Sequence, residues 1–220
     1  MTPRLRLISS ASLALVAAAG LSACRSSGDI VVDQGVGITA VRSACPAVGI
    51  PNYTGDVTLF TSPANQTAAN IDVVAAMTNV RTQCNEQGER IYATVTFDVL
   101  ARRSDTSAAR QVSLPYFVTV LRGGNQVVTK RVGTVAVNFP AGAERASASG
   151  SGSAYIDRDA ATLSREIRER ITRKRKAGDA DAAVDPLSDP EVRAAVDRAS
   201  FELLVGFQLD DRQLAYNATR

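Results

Sequence analysis

Between residues 91 and 99, apolar and polar-headed side chains alternate without a break. Ile91, Ala93, Val95, Phe97 and Val99 form one set, and Tyr92, Thr94, Thr96 and Asp98 the other. A period of two sends the sets to opposite sides of an extended chain, so this stretch predicts an antiparallel strand with one buried face. Runs of similar but weaker character occur at 56–61, 71–83, 111–122, 127–139 and 144–156, read as rich in Val, Thr, Ile, Tyr or Phe. Turn chemistry separates them: Asn65, the 85–88 stretch, Ser104-Asp105, Gly123-Gly124-Asn125 and Pro140-Ala141-Gly142. The Gly-Gly-Asn step reads as a tight hairpin, because these residues accept positive φ. Pro115 lacks an amide donor and predicts an edge or a bulge within its run. The expectation is a mainly β fold, an immunoglobulin/fibronectin-like antiparallel β-sandwich, although no Cys–Trp–Cys pattern marks a true immunoglobulin domain.

The pattern changes at residue 157. Leu163, Ile167 and Ile171 recur every fourth residue among charges, which predicts a helix over 160–176 capped by Asp157 or Asp159, with Glu166–Arg170 and Glu169–Arg173 as favourable pairs. Its end carries the unbroken basic cluster Arg173, Lys174, Arg175 and Lys176, which complements a helix dipole and is also a candidate anion contact. Residues 178–190 are small, acidic and Pro-containing, the composition of a flexible linker. Asp189-Pro190 then opens a short helix with Val192, Ala195, Val196 and Ala199 on one face. In 201–209 the alternation of Phe201, Leu203, Val205 and Phe207 predicts a strand returning to the sandwich, making the helical part an insertion before the last strand. Residues 210–220 read as a polar tail with Leu214 and Tyr216 as docking residues.

At the N-terminus, Arg4 and Arg6 precede a short apolar run, residues 11–20, that is too short to span a bilayer. Leu21-Ser22-Ala23-Cys24 follows, and it resembles the lipobox of bacterial lipoproteins. The resemblance implies a signal peptide over 1–23, cleavage before Cys24, a diacylglyceryl thioether on its sulfur and acylation of its new amino group. Arg25, in place of the aspartate that favours inner-membrane retention, implies the periplasmic face of the outer membrane; the alternatives are the outer face of the inner membrane and a soluble periplasmic protein.

Composition narrows the chemistry. The chain holds 25 Lys and Arg against 22 Asp and Glu, and two of the basic residues lie in the predicted leader, so the remainder is close to neutral. A near-neutral balance argues against general polyanion binding and leaves only local patches. Histidine and tryptophan are both absent. Without His, the Ser-His-Asp and Cys-His arrangements and the usual zinc sets are unavailable. Asp72, Asp98, Asp105, Asp157 and Asp159 remain as loose candidates for carboxylate catalysis, with no motif joining them. With Cys24 assigned to lipid, Cys45 and Cys84 are left as a disulfide pair or as two separate thiols, and an oxidising compartment favours the bond. The Asn-X-Thr tripeptides at Asn52, Asn65 and Asn217 read as chance.

The expected organisation is therefore a leader (1–23), a lipidated tether (24–54), a sandwich (55–156 with 201–209), a charged helical insertion (157–200) and a tail (210–220). The expected function is a non-enzymatic envelope lipoprotein acting as a binding, scaffolding or assembly module, with no cofactor or metal. Its partners would be the membrane through its lipid, an envelope protein or peptidoglycan, and not nucleic acid. The alternative is a peptidoglycan or polyanion binder that uses residues 173–176.

Overall fold

The computed structural model describes residues 43–176 and 178–220, so the predicted leader, Cys24 and most of the tether lie outside it. Residues 43–173 and 185–220 belong to one compact unit, and residues 174–184 to another.

The first unit is mainly β. Its strands are β1 (Ala47–Gly49), β2 (Asp56–Phe60), β3 (Ile71–Asn85), β4 (Arg90–Arg103), β5 (Arg110–Arg122), β6 (Gln126–Phe139), β7 (Arg145–Asp157) and β8 (Phe201–Phe207). They form two four-stranded sheets, ordered β1-β8-β5-β6 and β2-β3-β4-β7. Every pairing is antiparallel except β1 with β8. The two sheets enclose one apolar core, as expected of a β-sandwich.

The alternation of β4 is realised along its whole length. Ile91, Ala93, Val95, Phe97 and Val99 are buried, and the Thr and Asp side chains between them face outward. The β5–β6 hairpin turns through Gly123 and Gly124, both at positive φ, as the Gly-Gly-Asn step predicts. Pro115 sits inside β5, which pairs with both β6 and β8 and so is no edge strand; the register continues past it, Pro115 standing opposite Thr134. The proline is accommodated because its missing donor falls where β8 has ended, and its carbonyl accepts the amide of Gln208.

β7 is built from small residues, and its packing explains why. Gly150 stands opposite Phe97 in register, and a Cβ there would lie 2.3 Å from Phe97 Cζ. At Gly152 a Cβ would come 2.4 Å from Val118 Cγ2 in the facing sheet. The missing side chains let Phe97 meet Tyr116 edge-on across the sandwich, ring centroids 4.9 Å apart. Tyr116 completes the seam by donating its hydroxyl to the Ser151 carbonyl at 2.7 Å. That bond occupies one of the acceptors an edge strand otherwise exposes.

Between β7 and β8 lie three helices: α1 (Arg158–Ala161), α2 (Arg165–Thr172) and α3 (Pro190–Ala199). The single helix expected over 160–176 is broken at 162–164. Ser164, rather than Asp157 or Asp159, caps the main helix by accepting from the Ile167 amide, and Asp157 makes no side-chain cap bond. Ile167 and Ile171 do face inward, against Val192 of α3. Arg170 reaches across to Asp189 and to Glu191 at 2.8 Å, which ties α2 to the first turn of α3. Asp189 and Pro190 cap and open α3 as read from the sequence.

The C-terminal segment is a helix, α4 (Asp211–Thr219), where a polar tail was expected. Asp210 and Gln213 form a reciprocal capping box at its start. Asn217 is buried and donates to the carbonyls of Tyr53 and Asp56, both at 2.8 Å. Tyr216 packs edge-on against Phe60, whereas Leu214 stays exposed.

Candidate functional site

The sandwich has two ends, and a buried arginine marks one of them. Arg103, at the close of β4, is 2% exposed. Its guanidinium donates to the carbonyls of Ala143 (2.9 Å), Ala108 (2.7 Å), Pro140 (2.7 Å) and Thr106 (3.4 Å), and its plane lies over the Phe139 ring. Those four carbonyls come from the two crossover loops, 104–109 and 140–144, so one side chain staples both. Nearby, Asp72 receives two bonds from Arg110, at 2.7 and 2.6 Å, a bidentate pair joining β3 to β5.

The other end carries the disulfide and a cavity. Cys45 and Cys84 are bonded, which links the segment before β1 to the end of β3. Ser43 and the Cys45 amide, the latter at 3.2 Å, donate to the same oxygen of Glu86. The Ser43 hydroxyl is the main reason the Glu86 carboxyl is held below the usual glutamate range, so it is an anion near neutral pH. Cys45, Cys84 and Glu86 are the one group of Cys and acidic side chains at metal-ligand spacing among the described residues, and the disulfide engages both sulfurs.

Next to this corner, a cavity of about 320 Å³ opens between residues 43–44, α1 and α2. Ala161, Leu163, Ile171 and Ala199 supply its apolar walls, and Glu86, Arg158 and Arg168 its charges. The cap at Ser164 positions Arg168 by starting α2 where it does, and the carbonyl of Leu163 accepts from Arg168 Nη2 at 3.1 Å. Arg158 differs from every other cation around the cavity. Its Nε and Nη2 are enclosed by protein and have no hydrogen-bond partner. Thr162 and Thr172 also line the space; their hydroxyls donate to the carbonyls of Arg158 (2.7 Å) and Arg168 (2.9 Å).

The residues singled out in the sequence are dispersed over the molecule. Asp98 lies on the outer face of β4, held ionised chiefly by the Asn79 amide at 2.7 Å and by the Ser149 hydroxyl. Asp105 caps the turn at Ser107, Asp157 pairs with Arg90 at 3.5 Å, and Asp159 is exposed within α1. The five aspartates do not converge on one cleft. The basic cluster lies beyond the end of α2, with exposed Arg173 as its C-cap residue. Within the 174–184 unit, Lys174 and Lys176 are exposed, whereas Arg175 is buried and pairs with Asp181 at 3.4 Å. The run of four cations is therefore not one continuous surface. The sequence gives no sign of the cavity, because Arg158 and Arg168 belong to the stretch 157–200, expected only to be a charged helical insertion.

No helix among the described residues is long and apolar enough to cross a membrane. Comparison with models of protein families, with curated proteins and with solved structures returned no match to this chain.

Proposed function

We propose that the protein is a non-enzymatic envelope lipoprotein, anchored through Cys24 at the periplasmic face of the outer membrane, whose immunoglobulin/fibronectin-like sandwich, with its helical insertion before the last strand, serves as a binding or assembly module. The observation that carries this reading is Leu21-Ser22-Ala23-Cys24 placed after a basic start and a short apolar run. The Cys45–Cys84 bond supports it, because disulfides persist in oxidising compartments. The dispersal of Asp72, Asp98, Asp105, Asp157 and Asp159, each given a structural bond or left in solvent, supports a role in binding over one in chemistry. Labelled palmitate should enter the wild-type chain and not Cys24→Ser, and the variant should leave the membrane fraction; equal labelling of both, or unchanged fractionation, would end the anchoring proposal.

A second reading, binding of peptidoglycan or another polyanion by residues 173–176, is favoured only by the exposure of Lys174 and Lys176. Lys174→Glu with Lys176→Glu should abolish sedimentation with purified sacculi if that reading holds. Unchanged sedimentation removes it.

A further inference from the structure

We propose that the cavity beside α1 and α2 binds the carboxy-terminal residue of a peptide, or an equivalent N-acylated amino acid, with a small apolar side chain. Three independent demands of the cavity converge on that chemistry.

The first is for an anion. Arg158 holds two enclosed donor nitrogens, Nε and Nη2, without an acceptor. An unsatisfied buried donor is costly, more so on a charged group, so the side chain gains by turning to an oxyanion that enters beside it. A guanidinium fork matches the two oxygens of a carboxylate, and Arg168, which also lines the cavity, adds a second positive charge.

The second is for an N–H donor. Thr162 and Thr172 have already spent their hydroxyl hydrogens on backbone carbonyls, so any further bond either makes is as an acceptor. Glu86, ionised and near enough to Arg158 for that charge to help lower its pKa, is also an acceptor. A doubly charged phosphate has a single O–H to offer these groups and is repelled by Glu86. A molecule with a single carboxylate and an amide N–H satisfies the cations and the acceptors together.

The third is for size and polarity. About 320 Å³ is at the lower end of small-molecule sites, enough for one amino-acid residue with its acyl group. Ala161, Leu163, Ile171 and Ala199 offer a short apolar surface to its side chain. The site stands whether or not Cys24 carries lipid.

The test is titration of the isotopically labelled full chain, followed by amide resonances and by the arginine Nε–H signals. The probe is N-acetylalanine. N-acetylalanine amide lacks the carboxylate, free alanine replaces the amide with an ammonium, and inorganic phosphate supplies an oxyanion alone. Saturable shifts with N-acetylalanine are expected at Arg158 Nε–H and at the Thr162 and Thr172 amides. Arg158→Ala should weaken binding at least tenfold, and the amide probe should bind at least tenfold more weakly than the acid. Spectral dispersion reports whether Arg158→Ala folds; if it does not, Arg158→Lys and Arg168→Ala take its place, each expected to weaken binding at least threefold. Absence of saturable shifts, equal affinity in the folded variants, or tighter binding of phosphate than of N-acetylalanine would overturn the proposal. Free alanine binding as well as N-acetylalanine would assign the site to amino acids in place of peptide ends, and so overturn that part of it.

Discussion

Arg103 and Arg158 stand at opposite ends of the same pair of strands, one closing β4 and the other following β7, and their surroundings differ in kind. Around Arg103, two loops deliver four carbonyls to one guanidinium, so that each of its three nitrogens has an acceptor. Around Arg158, its own carbonyl accepts from Thr162, and two donor nitrogens, Nε and Nη2, stay enclosed without acceptors. The first arrangement is a staple: the charge is solvated by the chain itself. The second is a charge whose solvation is incomplete, beside a space large enough for a ligand. Burial alone does not distinguish a structural arginine from a recognising one; the inventory of its acceptors does.

The comparison can be broken most forcefully at the stapled end. Arg103→Met should cost about 3–5 kcal/mol, because it leaves carbonyls of both crossover loops unpaired in a buried setting. Urea unfolding measures it, and a loss under 1 kcal/mol would show that the loops hold themselves. Next in size, replacing Cys45 and Cys84 by serine should remove roughly 3–4 kcal/mol, the chain-entropy value for closing a loop of this length. The same double variant should lower affinity at the cavity, since the disulfide fixes the Ser43–Ala44 wall, while Arg103→Met should leave the affinity of its folded fraction unchanged.

At the other end, Arg158→Ala should raise stability by about 1 kcal/mol, as expected when enclosed donors without acceptors are removed. A loss comparable to that of Arg103→Met would erase the distinction between the two arginines. The smallest effect concerns acid. Glu86 has a lowered folded-state pKa, so its contribution is present above the ordinary glutamate range of the unfolded chain and fades as pH falls through the folded value. Melting curves of wild type and Glu86→Gln should accordingly differ near neutral pH and converge in acid; a gap that widens with acidification would contradict the sign of that shift.

How much of this could be read beforehand follows from where the information resides. The strands from β2 to β8 are legible because one buried face imposes a period of two, and the β5–β6 turn because Gly123 and Gly124 must adopt positive φ. β1 is only three residues long and carries no periodicity. The α4 helix was hidden by its anchor: its one buried residue is Asn217, a polar group satisfied by two carbonyls far away in sequence, so no apolar stripe announced it. The Asp210/Gln213 spacing was the available signal. The helix break at 162–164 follows from Ser164 competing as a cap, which a four-residue apolar repeat overrode in the reading. The cavity is a further step removed, because whether Arg158 has an acceptor depends on three segments meeting in space.

The place of β8 in its sheet has a kinetic consequence. It lies between β1 and β5, so the strand nearest the C-terminus is an interior member of the sheet. Until residues 201–207 arrive, β1 has no strand to pair with and β5 has only β6 beside it. Completion of that sheet therefore waits for nearly the whole chain. Non-local pairing of this kind makes for slow, late folding.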